Sequence, residues 1–245
     1  MNAVGLQLYT IRDYLTEKTQ CEKALLAVKN AGYSFVQLAG DKDMLTLSAN
    51  ACKKLGIKVY GILTDINFCY ENSHFLFSIA KETGATDLGI SGWINDMKDP
   101  LPFIERINDF AKLAGEKGFT FSYHNHACEF VKSSGKKTAM DIMIESFDEA
   151  VSFMPDTYWL QHAGVSVCDF LRKISGRITA LHLKDMKVIG NDHTFAEVGN
   201  GNLDFKSIVA TAKECKVENF IVEQDTCDGD SLQSIKISYD AIKNL

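Results

Sequence analysis

Proline is scarce in this chain: only Pro100, Pro102 and Pro155 occur in 245 residues, which argues against a proline-rich linker or a disordered tract. No apolar run approaches the roughly 18 residues of a membrane span, and the start lacks a basic segment followed by an apolar core. A soluble, unexported protein is expected, with no membrane partner. A dense lysine and arginine stripe is missing too, and the formal charge of -6 makes nucleic acid a poor partner. The seven cysteines form no CxxC pair and are odd in number, so neither a disulfide framework nor a structural zinc site is indicated. A reducing cytoplasm fits. Neither a GxSxG elbow nor a GxxxxGK[ST] loop occurs, which removes support for hydrolase and nucleotide-triphosphatase readings.

What the chain does have is an alternation of short apolar runs with helical patterns. Eight strands are expected at 5–10, 34–39, 58–63, 87–91, 119–123, 151–154, 178–183 and 220–223. Helices are expected near 21–31, 45–55, 75–82, 102–116, 140–146, 168–174, 205–215 and 231–244, with Gly32, Gly56 and Gly84 as stop signals. Helices between buried strands imply a parallel sheet, and eight of them imply closure into an α/β (β/α)8 TIM barrel. No linker interrupts the pattern, so residues 1–245 are expected to form one domain. The rival, an open doubly wound sheet, would carry a glycine-rich turn after strand one, where this chain has Leu8-Tyr-Thr-Ile-Arg12.

Polar side chains recur at the downstream ends of the later strands. His124, Asn125, His126 and Glu129 follow the fifth, Asp156 the sixth, His182 and Lys184 the seventh, and Glu223 the eighth. In a barrel these ends meet above one mouth. Glu129, Asp156, His182 and Glu223 would then form three carboxylates and one imidazole, a set suited to a divalent ion such as Mn, Mg, Co or Zn. Each alone has a plainer reading: helix cap or ion-pair partner for the carboxylates, satisfied core residue for His182.

Side chains alternate along extended chain, so His124 and His126 share a side, and His124 is an alternative first ligand with Glu129 completing the shell or acting as base. Lys184 points the way His182 does and could contact substrate, against a plain ion pair with Asp185 or Glu197. Gln7, His124, Trp159 and Glu197 are substrate-binding candidates, and Cys128 reads as a thiol ligand or nucleophile or, more simply, a packing residue. The segment Glu197-Val-Gly-Asn-Gly-Asn202 could offer amides to a phosphate or form an ordinary turn.

These stretches are similar to a known family. Gly5-Leu-Gln-Leu-Tyr-Thr-Ile-Arg-Asp13, Tyr123-His-Asn-His-Ala-Cys-Glu-Phe130, Asp156-Thr-Tyr-Trp159, Ala163-Gly164, Arg177 through His182-Leu-Lys-Asp185, Glu197-Val-Gly-Asn-Gly201 and Val222-Glu-Gln-Asp225 resemble the xylose isomerase-like TIM barrel superfamily, in its sugar phosphate isomerase/epimerase branch. The resemblance implies a divalent ion held by a strand-five residue, Asp156, His182 and Glu223, with His126 and Lys184 near a small carbohydrate substrate. Two departures stand out: the superfamily often has a ligand glutamate where this chain has His124, and usually an aliphatic residue at Pro155. The implied activity is a metal-dependent sugar isomerase or epimerase, with His126, Lys184, Glu223 and Glu129 as catalytic candidates. A lyase or dehydratase acting on a 3-keto-sugar or polyol is the alternative. An abasic-site endonuclease and a noncatalytic sugar-binding protein are more distant ones, and a homo-oligomer is compatible with all.

Overall fold

The computed structural model describes residues 3–132, 137–243 and 245. Its strands are β1 (Val4–Gln7), β2 (Phe35–Ala39), β3 (Lys58–Asp65), β4 (Asp87–Ser91), β5 (Thr120–His124), β6 (Val151–Met154), β7 (Leu181–Leu183), a hairpin of β8 (Asp185–Ile189) and β9 (Asp192–Ala196), and β10 (Phe220–Val222). Eight of them form a parallel ladder in the order β6-β5-β4-β3-β2-β1-β10-β7. Parallel bridges Phe153–Ile178 and Asp156–His182 bring β7 back against β6. The sheet thereby closes into the (β/α)8 TIM barrel implied by the alternation.

The helices are α1 (Lys18–Ala31), α2 (Lys42–Leu55), α3 (Ile66–Glu71), α4 (Ser73–Thr83), α5 (Pro100–Glu116), α6 (Ala139–Ser146), α7 (Thr157–His162), α8 (Val167–Lys173), α9 (Phe205–Glu214) and α10 (Ser231–Ile242). Helices α1 and α2 end where glycine was expected to stop them. Gly32 (φ 113°) and Gly56 (φ 63°) take left-handed conformations and return their amides to the last turn. The expected end of the final helix, Asn244, lies outside the described residues. Among the described residues no helix is long and apolar enough to cross a membrane.

Three local features depart from the expected pattern. Strand one stops at Gln7 rather than Thr10, because the Gln7 side chain accepts the Tyr9 amide at 3.2 Å and starts a 3-10 turn over Leu8–Tyr14. Strand seven is divided between neighbours: Arg177 and Thr179 bond to Phe153 of β6, whereas Leu181–Leu183 pair with β10. Helices α3 and α7 and the β8–β9 hairpin are additions. The two helices have only six residues each and begin where the Asp65 and Asp156 carboxylates accept first-turn amides, too short for apolar periodicity to register.

Burial sorts by face. Outward residues such as Leu6, Val36, Ile90, Tyr123, Phe153 and Val222 pack against the helices in the main core. Inside the barrel a smaller cluster of Phe35, Met154, Ala180 and Ile221 fills the interior. Gly5 is required there, since a Cβ on it would overlap the Phe35 ring. Above that apolar plug the interior turns polar.

Candidate active site

The polar layer is built by register. With Val222 pointing out to the helices, Glu223 turns in, and His182 and Lys184 do the same on either side of buried Leu183. His124, Asp156, His182 and Glu223 place one ligand-type atom each within 4.8 Å of one another, all four residues buried. Divalent ions bind such donors at about 2.0–2.2 Å, so four atoms around one ion fit this spread.

Hydrogen bonding specifies the donors further. Asp156 spends Oδ1 on the Trp159 amide (2.9 Å), while Oδ2 lies 3.3 Å from His124 Nε2. On His182, Nε2 is 2.8 Å from Gln37 Oε1, which also accepts from Gln7 Nε2 at 2.7 Å. The shared acceptor makes His182 Nε2 a protonated nitrogen, so Nδ1, when it carries no proton, turns its lone pair toward Glu223 Oε2, 2.9 Å away. A lone pair facing a carboxylate oxygen needs a proton or a cation between them. A ligand histidine anchored through its other nitrogen has this arrangement. His124 presents Nε2 to the group, 3.3 Å from Asp156 and 3.7 Å from Glu223, while its Nδ1 is buried with no hydrogen-bond partner.

Lys184 is 1% exposed, and its Nζ lies 3.0 Å from Asp156, 2.9 Å from Glu223 and 2.8 Å from Asp225. Burial disfavours the ammonium, but the three carboxylates outweigh it and hold the lysine well above its ordinary value. Burial likewise opposes ionisation of Asp156 and Glu223, and Lys184 foremost reverses this, bringing both below the usual carboxylate range. Asp225 goes the other way: burial pushes its carboxyl up to about 6 against the pull of Lys184. Burial, reinforced by His124, lowers His126 to about 4, and burial also lowers His124, so both rings are neutral at neutral pH. One ammonium against three carboxylates leaves a negative surplus that a divalent cation would offset.

The group opens into a cavity of about 550 Å³ at the carboxyl-end mouth of the barrel. His124, His126, Lys184, Glu223 and Asp225 line its polar side, and Leu63, Phe68 and Trp93 give it an apolar wall.

The structure brings Asp156, His182 and Glu223 together as expected but does not bring Glu129 to them; His124 supplies the fourth donor. The Glu129 carboxylate turns away, accepting the Tyr123 hydroxyl (2.7 Å) and the His126 amide (3.0 Å) from positions that fix the turn carrying His126. Cys128 donates to the same carboxylate at 3.3 Å, and burial pushes its thiol up to about 12, so it is no thiolate ligand. Gln7 is fully buried behind Gln37, and Glu197 is held by Ser234 at 2.8 Å; neither lines the cavity. Trp159 sits edge-on to His126 with ring centroids 5.1 Å apart and has Lys184 Nζ 5.6 Å above its ring, supporting both rather than lining the cavity itself. Lys184 pairs with neither Asp185 nor Glu197. Gln37 and Asp225 were missed as site residues. The signal for Gln37 was a lone amide in an apolar strand, and for Asp225 a carboxylate two residues beyond Glu223.

A closed parallel barrel with ligand-type side chains gathered at the carboxyl ends of its strands is the architecture shared by TIM-barrel enzymes, whose chemistry sits on those loops. The chain belongs to the xylose isomerase-like TIM barrel family, whose model matches residues 25–244. It is 27% identical over 138 residues to an inosose dehydratase of Clostridium beijerinckii, a match taking in 49% of this chain. The match spans about half of that relative's length, 45%. Among solved structures, a sugar phosphate isomerase/epimerase from Parabacteroides distasonis superposes with a TM-score of 0.76 at 19% identity, covering 99% of this chain and 98% of that one. The IolI protein with a bound zinc atom gives 0.76 at 11% identity, covering 99% and 97%. At such identities the structural likeness speaks for the fold.

Proposed function

We propose that the protein is a divalent-metal-dependent sugar isomerase or epimerase that moves a proton beside a carbonyl. The observation that carries this reading is the buried group of His124, Asp156, His182 and Glu223, with surplus negative charge, opening into a sugar-sized cavity. These four residues would hold the ion. When bound, it would supply Lewis-acid polarisation of a carbonyl and acidify the neighbouring C–H.

The chain's own groups provide the proton handling. Asp225 and neutral His126 both reach the cavity from different loops and can accept or return a proton, Asp225 with a value near neutrality as proton transfer at neutral pH favours. Lys184, anchored by Asp225 even when Asp156 and Glu223 turn to an ion, brings positive charge to oxygen that becomes negative as the proton leaves. Glu129 positions His126 through its amide and is not the base. The zinc-bearing neighbour and the isomerase/epimerase neighbour support the reading by analogy of fold. Seven free cysteines suit a reducing cytoplasm.

The inosose dehydratase relatives favour a second outcome, expulsion of water from the same deprotonated sugar. Metal analysis, with deuterium uptake from heavy water into a panel of keto- and aldo-sugars, tests both. Retained metal and label at the carbon beside the carbonyl, lost in Glu223→Ala, support proton transfer, and a product lighter by one water marks the dehydratase. Absence of both metal and label in the intact protein would overturn the proposal.

A further inference from the structure

Phosphate esters are bound by helix amino termini, glycine-rich loops or unpaired cations. Among the described residues, the two helix starts that line the cavity and the glycine-bearing loop after β9 already hold a carboxylate of the chain. Helix α2 begins at Asp41, whose Oδ1 accepts the Met44 amide at 2.9 Å. Helix α3 begins at Asp65, which accepts from Asn67 at 2.8 Å and Phe68 at 3.0 Å. Both carboxylates line the cavity. The glycine-bearing loop after β9, whose amides were a candidate phosphate cradle, instead wraps Asp185: Gly199 and Gly201 donate at 2.9 Å and Leu203 at 3.2 Å. An added Cβ at Gly201 would overlap the same carboxylate, so the glycine serves an internal anion.

Cations are no freer. Among the described residues lining the cavity, Lys184 is the one lysine or arginine, against Asp41, Asp65, Glu223 and Asp225. It pairs with three carboxylates, and Asp225 would still hold it when Asp156 and Glu223 turn to an ion. Nearby Arg12 lies outside the cavity lining, donating to the Tyr9 and Asp225 carbonyls at 3.0 and 2.8 Å with its guanidinium 4.2 Å over the Tyr9 ring. One divalent ion would still leave this wall negative, whereas Leu63, Phe68 and Trp93 offer the C–H face of an uncharged ring a surface to lie on.

We infer that the cavity takes an unphosphorylated sugar and discriminates against its phosphate ester, because, among the described residues that line it, the helix starts are capped by Asp41 and Asp65 and the one cation is paired with carboxylates. This rests on the proposed sugar chemistry and narrows its substrate class.

The test pairs each free sugar with its terminal phosphate ester, using fructose, ribulose and their monophosphates as probes of the manganese-loaded protein. Deuterium exchange and calorimetric binding are measured for both members, with inorganic phosphate as a further binding probe. The free sugar is expected to be preferred by about tenfold or more, with no measurable binding of inorganic phosphate. Equal or tighter binding of the ester would overturn this inference and leave the proposed function standing. Failure of both members of every pair to bind or exchange would remove the proposed function, and this inference with it. The double variant Asp41→Asn/Asp65→Asn keeps capping oxygens at both helices while removing two charges, and it should narrow the preference about threefold to tenfold. An unchanged ratio would show that these charges do not cause the selectivity.

Discussion

Strands β1–β4 and strands β5, β6, β7 and β10 share one ladder but end in different chemistry. The first four finish on or beside Gln7, Ala39, Asp65 and Ser91, the second group on or beside His124, Asp156, His182 and Glu223. The second half gathers the four ligand-type side chains. The first half supplies the apolar wall, the acidic caps and, through Gln7 and Gln37, the bond that fixes the His182 ring from across the barrel. Orientation and ligation have been assigned to opposite sides of one pore, and each side can be tested without dismantling the other.

The largest effect is expected within the second half. His124→Ala should lower metal affinity and deuterium exchange by about 100-fold or more, whereas Glu129→Gln, whose carboxylate points to Tyr123 and the His126 amide, should retain the metal. Metal titration of the two variants side by side checks the assignment, and loss of metal in Glu129→Gln would reverse it. Next comes the contribution of the first half. Gln37→Leu removes the acceptor on His182 Nε2, and weakening of about 10- to 100-fold in metal affinity is expected, read by competition with a chelator. Unaltered affinity would confine the site to its own half.

The smallest effect on chemistry, though a visible one on stability, concerns the foot of β4. Asp87 is fully buried between Thr120 and Ser122, which donate at 2.6 and 2.7 Å, and burial pushes its carboxyl up to about 6 despite those bonds. The native state therefore holds this proton more tightly than the unfolded chain does. The charge penalty is absent below about pH 4 and complete above about pH 6, so Asp87→Asn should add up to about 3 kcal/mol near pH 8 and little at pH 4. Thermal melts at the two values decide it: a stability gain independent of pH would contradict the assigned cause.

Much of this was legible in the residues. The barrel was readable because buried parallel strands must be apolar on both faces, which makes Asp156, His182 and Glu223 conspicuous at their ends. The choice between His124 and Glu129 was not. Glu129 stands five residues beyond β5's last residue, His124, and the 3-10 turn at Cys128–Phe130 swings its carboxylate back onto Tyr123, a direction no strand periodicity encodes. Gln37 escaped notice for a related reason: its partner His182 is 145 positions away, on a strand that is not its neighbour. The short capped helices and the hairpin after Lys184 were missed because they are fixed by single carboxylates and a turn rather than by a repeating apolar face.

The joint between β6 and β7 is the most lightly sewn in the cylinder, closed by single bridges, one of which pairs Asp156 with His182. A cation gripped by those two side chains would act as a clasp on the seam, so occupancy should slow amide hydrogen exchange at 151–154 and 181–183 more than in β2 and β3. Uniform slowing around the ring would show that the clasp bears no strain. The fastening of the cylinder and the seating of its ion would then be a single event, with the site doubling as the stitch that completes the wall.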